Sequence, residues 1–383
     1  MDFSYMEDFL NSLVSEHQIP GVDCIVKKRH ETIFRHHAGF ADKEVGKPMT
    51  GSELFNLYSA TKAITCVAVL QLFEQGKLLL TDPVYLYLPE YHHMLVKHVN
   101  PVGTVSIIPA QNLITIKHLL SMTAGLNYDL SSPVFAAVYE QTGGRAPTRE
   151  VIRQLAGQPL IYDPGTDWMY SLAHDVLGAV VEVVSGERFG DYLQNHIFKP
   201  LGMTRTGFSR SQVVLDQMMA QYMRDTETGE ISRISLDNEF VFGSEYESGG
   251  AGLISCVDDY SRFTATLASG GVSESGKRIL SPATIDLMRI NHLNASQAKS
   301  FAYTELVGYG YGLGVRTLVD KVAGGSNGPV GEFGWSGAAG IYFLIDPENE
   351  LSLFYAQQVR ETVHSKLHPY IHPRLRNLLY SSL

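Results

Sequence analysis

Apolar positions recur at helical spacing near the start of the chain. Phe9, Leu10, Leu13 and Val14 share one face of a helix predicted over 4–17, and Pro20-Gly21 stops it. Residues 22–27 and 32–39 read as two strands joined around Arg29-His30-Glu31. Leu57-Tyr58-Ser59-Ala60-Thr61-Lys62 then leads into AITCVAVLQLFEQG, which is apolar nearly all round. That pattern marks a buried helix, with Gly76 as its C-terminal cap. From about 81 to 224 the pattern is helical with long loops, and helices are expected over 115–122, 148–156, 173–185 and 188–197. Residues 250–268 carry another. Strand signals return at 311–317, 339–345 and 351–357, punctuated by Gly or by Asp346-Pro347-Glu348-Asn349, before a last helix over 374–381. Strands at both ends with helices between predict an α+β fold. Residues 1–80 and 225–383 are expected to form one discontinuous α/β lobe, and 81–224 an inserted helical lobe.

Composition narrows the function classes. The chain has 383 residues, 44% hydrophobic and 18% charged, which suits a globular protein with a large core. Its formal net charge of -10 argues against nucleic acid as a partner. The densest basic stretch, Lys27-Lys28-Arg29-His30, reads as a solvated strand end. Cys24, Cys66 and Cys256 are far apart, with no C-x-x-C, so neither a zinc site nor a disulfide framework is suggested. The first residues lack the basic start and apolar block of a signal peptide, and no apolar stretch reaches the roughly 20 residues of a membrane span. A cytoplasmic location is therefore expected. The sequence carries no signal for an oligomeric state.

Two Ser-x-x-Lys motifs are present, Ser59-Ala60-Thr61-Lys62 and Ser296-Gln297-Ala298-Lys299. The second lies in NHLNASQAKS, which reads as a polar loop. The first opens the apolar helix, where side chains at i and i+3 share a face. Burial and the positive end of the helix both disfavour a charged Lys62. Neutrality at pH 7 needs roughly 4 kcal/mol against the ammonium. A neutral amine beside a hydroxyl can take its proton, which activates a serine without histidine. Taken alone, the motif fits an N-capping Ser59 and a Lys62 that reaches solvent equally well.

Such a pair needs a further proton carrier and an oxyanion site. In Asp163-Pro164-Gly165-Thr166-Asp167-Trp168-Met169-Tyr170-Ser171-Leu172, Tyr170 stands where a loop enters a helix. It is a candidate relay, coupled to the lysine, or a packing residue. Gly334-Trp335-Ser336-Gly337-Ala338-Ala339-Gly340 precedes an apolar strand, and its small residues let a substrate lie against the backbone. The backbone N–H groups of Ser59 and Ala338 could then face a carbonyl oxygen, each worth about 3 kcal/mol of barrier. An ordinary glycine-rich turn is the other reading.

Together with these motifs, LYSATKAITCVAVLQLFEQGKLLLTDPVYLYLPEY, ITIKHLLSMTAGLNY, DPGTDWMYSLAHDVLG, PLGMTRTGF, SGGAGLISCVDDYSRF and YGYGLG resemble the class C β-lactamase-like serine hydrolases over residues 50–345. That group includes penicillin-binding proteins, D-amino-acid peptidases and family VIII carboxylesterases. The resemblance implies an antiparallel sheet flanked by helices, a mostly helical lobe, and a site between them. It carries the nucleophile onto Ser59, the base onto Lys62, a proton carrier onto Tyr170 and an oxyanion donor onto the Ala338 backbone. No cofactor or metal is implied. Two positions depart from the lactamase pattern. Leu172 stands where Tyr-x-Asn has an amide-binding Asn, and Trp335-Ser336-Gly337 stands where Lys-Thr-Gly supplies a cation. Both changes remove handles for anionic, amide-bearing substrates, and family VIII esterases often have a tryptophan at the second place. A small neutral ester is therefore expected ahead of an amide or β-lactam. A lactamase, peptidase, amidase or acyltransferase keeps the same chemistry, and a ligand-sensing protein would lack it.

Other motifs lead elsewhere and are weaker. Gly271-Val272-Ser273-Glu274-Ser275-Gly276-Lys277 lacks the Ser or Thr of a phosphate loop after its lysine and reads as a surface turn. Gly308-Tyr309-Gly310-Tyr311-Gly312-Leu313-Gly314 does not match the spacing of a dinucleotide fingerprint. His364, His368 and His372 are spaced at four, but Pro369 and Pro373 are expected to break that helix, and no carboxylate completes a metal set. His174, one turn after Tyr170, reads as packing or as a residue lining the cleft. No G-x-S-x-G occurs.

Overall fold

The computed structural model describes residues 1–100, 102–302, 306–362 and 365–383. Helix α1 (Ser4–Ser15) leads into β1 (Gly21–Lys28), β2 (Glu31–Asp42) and the short β3 (Lys47–Pro48). A 3₁₀ turn at Tyr58–Ala60 runs straight into α2 (Thr61–Glu74). Further on come α3 (Ala173–Ser185) and α4 (Val257–Ala268). The last third supplies β4 (Tyr309–Tyr311), β5 (Arg316–Leu318), β6 (Phe333–Ser336), β7 (Tyr342–Asp346), β8 (Leu351–Ala356) and α5 (Leu367–Ser381). The eight strands form one antiparallel sheet in the order β4-β5-β6-β7-β8-β1-β2-β3. Its centre joins residues more than 300 apart in sequence, such as Asp23 opposite Ala356. Segment 81–224 gives no described strand to this sheet.

β1 is buried on both faces, which is why it shows no alternation. Val22, Cys24 and Val26 pack with Leu10 and Leu13 of α1 and with Ile371, Leu375 and Leu379 of α5. Ile25, on the opposite face, joins the larger core that holds α2, α3 and α4. α2 is buried from Thr61 to Leu72, as its all-round apolar sequence requires. Its first turn therefore sits at the centre of the molecule, beside both the sheet and α3.

Several expected boundaries shift. Residues 311–317 are two strands rather than one, because Gly312 donates to the Val315 carbonyl at 2.7 Å and reverses the chain. The last helix starts at Leu367 and runs through both prolines. Pro369 lies in the first turn, where an N–H has no intrahelical partner, and the buried apolar stripe of α5 offsets the bond that Pro373 gives up. The stretch read as a polar loop holds a helix, Ala295–Phe301, nucleated by an Asn294–Gln297 capping box; Ser296 and Lys299 are exposed on it. A hairpin of Leu95–Val99 and Val105–Pro109 stands within the segment expected to be helical. Pro101 and Tyr303–Glu305 lie outside the described residues, as do Val363 and His364. Among those described, no three His, Cys, Asp or Glu side chains are grouped to hold a metal, and no helix is long and apolar enough to cross a membrane.

One buried ion pair anchors the outer strands of the sheet. Arg316 Nη1 lies 3.1 and 3.2 Å from the two Glu332 oxygens, and Glu332 is fully buried. Removing one partner leaves the other charged and unpaired. Glu332→Ala is expected to lower the unfolding free energy by about 3–5 kcal/mol in urea titrations. Glu350→Ala, which breaks an exposed pair with Arg29, should leave stability nearly unchanged. Equal losses would refute this contrast.

Candidate active site

The turn that carries Ser59 is held from several sides. Phe55 and Asn56 pair with Ser255 and Ile254, and the Leu57 N–H donates to the Leu253 carbonyl at 2.9 Å. Tyr58 has φ +46, a left-handed conformation costing on the order of 1–3 kcal/mol for a residue with a side chain. Its hydroxyl donates to Gln221 Oε1 at 2.6 Å inside the core, and its ring meets Phe240 edge-on. These contacts impose the turn and bring Ser59 to the cleft, where its side chain is half-buried.

Lys62 is fully buried. Its Nζ lies 3.2 Å from Ser59 Oγ, 3.2 Å from the Tyr128 hydroxyl and 2.7 Å from the Gly250 carbonyl. An ammonium has three N–H donors and no acceptor, and three acceptors surround this one. The loop at Gly250 approaches so closely that a Cβ there would stand 2.4 Å from Asp175 Oδ2 and 3.4 Å from Lys62 Nζ. Asp175 is itself buried, accepting from Tyr246 and Ser248 at 2.9 and 2.6 Å. Burial pulls the lysine pKa down, but Tyr128, Tyr170 and Asp175 more than offset it, and the net direction is upward. This corrects the expectation of a neutral amine. The sequence shows that Lys62 is buried but not the oxygens that distant segments place around it.

Tyr170 lies in the extended segment before α3, with Lys62 Nζ 4.6 Å from its ring centroid. It is stacked between Tyr128 at 5.5 Å and Trp335 at 5.6 Å. Trp335 Nε1–H donates to the Tyr170 hydroxyl oxygen at 3.1 Å. The indole at the lactamase lysine's place thus fixes the phenol. It leaves the Tyr170 O–H free to point toward a substrate. Burial pushes the Tyr128 phenol up despite the neighbouring lysine, so this ring stays protonated.

The end of β6 presses against the nucleophile turn. A Cβ at Gly337 would stand 2.3 Å from the Leu57 carbonyl oxygen, so glycine alone permits this approach. Ser336 and Ala338 are partly exposed beside it. Among the described residues, neither the Ser59 nor the Ala338 N–H donates to a backbone carbonyl, which leaves both available to a ligand oxygen.

Ser59, Lys62, Tyr170, Trp335, Ser336, Gly337 and Ala338 lie around one cleft. Leu172 does not join them. It is 2 % exposed and lies in the core, with its N–H on the Asn127 carbonyl at 3.1 Å, so it offers a substrate no surface. His174 is also buried, its Nε2 3.5 Å from Cys66 Sγ, and burial pushes its pKa down to about 3; it packs and does not line the cleft. Tyr128 and Asp175 went unremarked in the sequence although both lie inside segments quoted above. Nothing local separates one tyrosine among twenty from the rest.

The Beta-lactamase family model matches residues 6–372. Esterase EstB of Burkholderia gladioli is 30% identical over 371 residues, covering 91% of this chain and 88% of that protein. Protein Rv1367c of Mycobacterium tuberculosis is 31% identical over 347 residues, covering 89% and 86%. Among solved structures, EstCE1, described as a hydrolase with promiscuous acyltransferase activity, superposes with a TM-score of 0.79 at 28% identity, covering 99% of this chain and 98% of its own.

The raised lysine pKa fixes the sign of a pH effect. Below that pKa the ammonium persists, and the fraction able to accept a proton grows as pH rises. The rate at which a fluorophosphonate labels Ser59 is expected to climb steadily from pH about 7 to about 9.5. A flat or falling profile over that range would contradict the assignment.

Proposed function

Because the chain belongs to the Beta-lactamase family, a fold group of serine acyl-transfer enzymes, we propose that it is a carboxylesterase acting on small neutral esters through an acyl-enzyme on Ser59. The observation that carries this is the approach of Lys62 Nζ to Ser59 Oγ at 3.2 Å beneath two stacked phenols. Lys62, Tyr128 and Tyr170 form one contiguous unit beside the nucleophile. The reactive form has lost one proton from that unit, and the vacancy takes the Ser59 proton as Oγ attacks the acyl carbon. The oxyanion is held by the Ser59 and Ala338 N–H groups. Tyr170 returns the proton to the departing alkoxide. Water then attacks the acyl carbon and gives a proton to the same unit, which returns a proton to Ser59 Oγ as its bond to the acyl carbon breaks and the acid leaves.

An ester is favoured because the cleft offers Trp335 where a lactamase-type cation would stand, and its indole N–H is already on Tyr170. A pocket without a charged anchor gives little preference for an anionic amide. EstB is named as an esterase, which agrees. Acyl transfer is the second reading. EstCE1 is titled with that activity, and an alcohol replacing water at deacylation needs no further group.

The purified protein is expected to hydrolyse short p-nitrophenyl esters much faster than nitrocefin, and Ser59→Ala to abolish the activity. An unchanged rate in Ser59→Ala would eliminate the proposal. Tyr170→Phe should lower kcat by roughly a hundred- to ten-thousand-fold with KM little altered. Adding a primary alcohol should divert product to the new ester if transfer competes with hydrolysis.

A further inference from the structure

An ester held on Ser59 has two arms, and they meet different walls of the cleft. In the reading above, Tyr170 returns the proton to the alkoxide, so the alcohol lies on the Tyr170 side. A cavity of about 280 Å³ opens there, meeting the cleft at Tyr170 and Ser336 and walled by Trp168, Leu306, Trp335 and Tyr342. A cavity of about 150 Å³ is enough for a benzene ring, so this one has room for a bulky alcohol.

The acyl chain leaves on the other side. With the carbonyl oxygen between the Ser59 and Ala338 N–H groups and the alkoxide at Tyr170, the remaining bond of the acyl carbon points away from Tyr170. Four rings follow one another from the cavity to the nucleophile turn: Trp335 and Tyr170 at 5.6 Å, Tyr170 and Tyr128 at 5.5 Å, and Tyr128 and Phe240 at 5.5 Å. The cavity opens at the Trp335 end. Phe240 stands at the far end, where its ring also meets Tyr58, next to the nucleophile, at 6.0 Å. It is half-buried, so part of the ring stays open to a ligand.

The segment that carries Phe240 is irregular but held on several sides. Residues 237–247 form no helix or strand. Asn238 Nδ2 donates to the Ala251 carbonyl at 2.8 Å, and the Phe240 N–H donates to Asn238 Oδ1 at 3.0 Å. Glu239 accepts from Arg360 at 2.5 and 3.0 Å, and Phe242 stacks on Phe135 at 3.9 Å. A ring on a segment pinned before and after it is a fixed wall rather than a lid.

We infer that Phe240 limits the length of the acyl group, and that the chain takes esters of a short acid with a bulkier alcohol. The inference rests on the hydrolase reading. A long acyl chain would overlap Phe240 or push it into Tyr128 and Tyr58, whereas the same carbons on the alcohol enter the cavity.

Hexyl acetate and ethyl hexanoate test this, because they are isomers that place the same chain on opposite arms and both release a primary alkoxide. The wild type should favour hexyl acetate in kcat/KM by roughly tenfold or more. Phe240→Ala should cut that ratio by roughly fivefold by admitting the hexanoyl chain. Phe240→Leu should cut it less, and Phe240→Trp should widen it. Each ratio is taken within one variant, so weaker support for Tyr128, which slows both esters alike, does not move it. Equal rates in the wild type overturn the inference, as does a preference for ethyl hexanoate or a ratio that Phe240→Ala leaves in place. A wild type inactive on ethyl acetate and on p-nitrophenyl acetate removes the hydrolase reading itself.

Discussion

An ammonium taken out of water must have all three of its N–H groups matched, or its burial costs several kcal/mol. Lys62 meets that condition with oxygens from three separate places in the chain: Ser59 one turn back, Tyr128 on a loop, and Gly250 beneath α3. Much of the local architecture follows from supplying them. The Gly250 loop has no side chain because none would fit between Asp175 and the lysine. Asp175 in turn is tied to Tyr246 and Ser248. The oxygens around the lysine more than offset its loss of water, and the charged form is favoured.

The two halves of the cleft divide the work. The helical side brings Tyr128 and Tyr170, and the sheet side brings Trp335 and the partly exposed Ala338. The link between them is the bond from Trp335 Nε1 to the Tyr170 hydroxyl. The residue that stands where the lactamase pattern has a cation also holds the Tyr170 phenol. That exchange accounts for an apolar, aromatic cleft. The same ring forms part of the wall of the adjoining cavity.

The α+β class, the buried character of α2 and the span of α3 were legible because each rests on apolar periodicity within a short window. Ser59 and Lys62 meet for a similarly local reason, since the 3₁₀ turn that carries Ser59 runs straight into α2. Where reading failed, a longer-range effect decided. The run 311–317 has strand composition, but a turn divides it. Pro369 and Pro373 look like breakers, yet the stripe Ile371, Leu375 and Leu379 buries against the sheet and carries the helix through them. Leu172 looked like a cleft residue by its place after Tyr170, and packing turned it inward.

By itself the sequence determined which residues could react, because the hydroxyl, the amine and the phenol are fixed by residue type and local spacing. Only the tertiary structure decided their protonation and what surrounds them. The charge state of Lys62 is a balance between burial, which a helix pattern reveals, and acceptors from residues 128, 170, 175 and 250, which meet only after the chain has folded. Electrostatic interactions depend on distance in space, and separation along the chain does not report it.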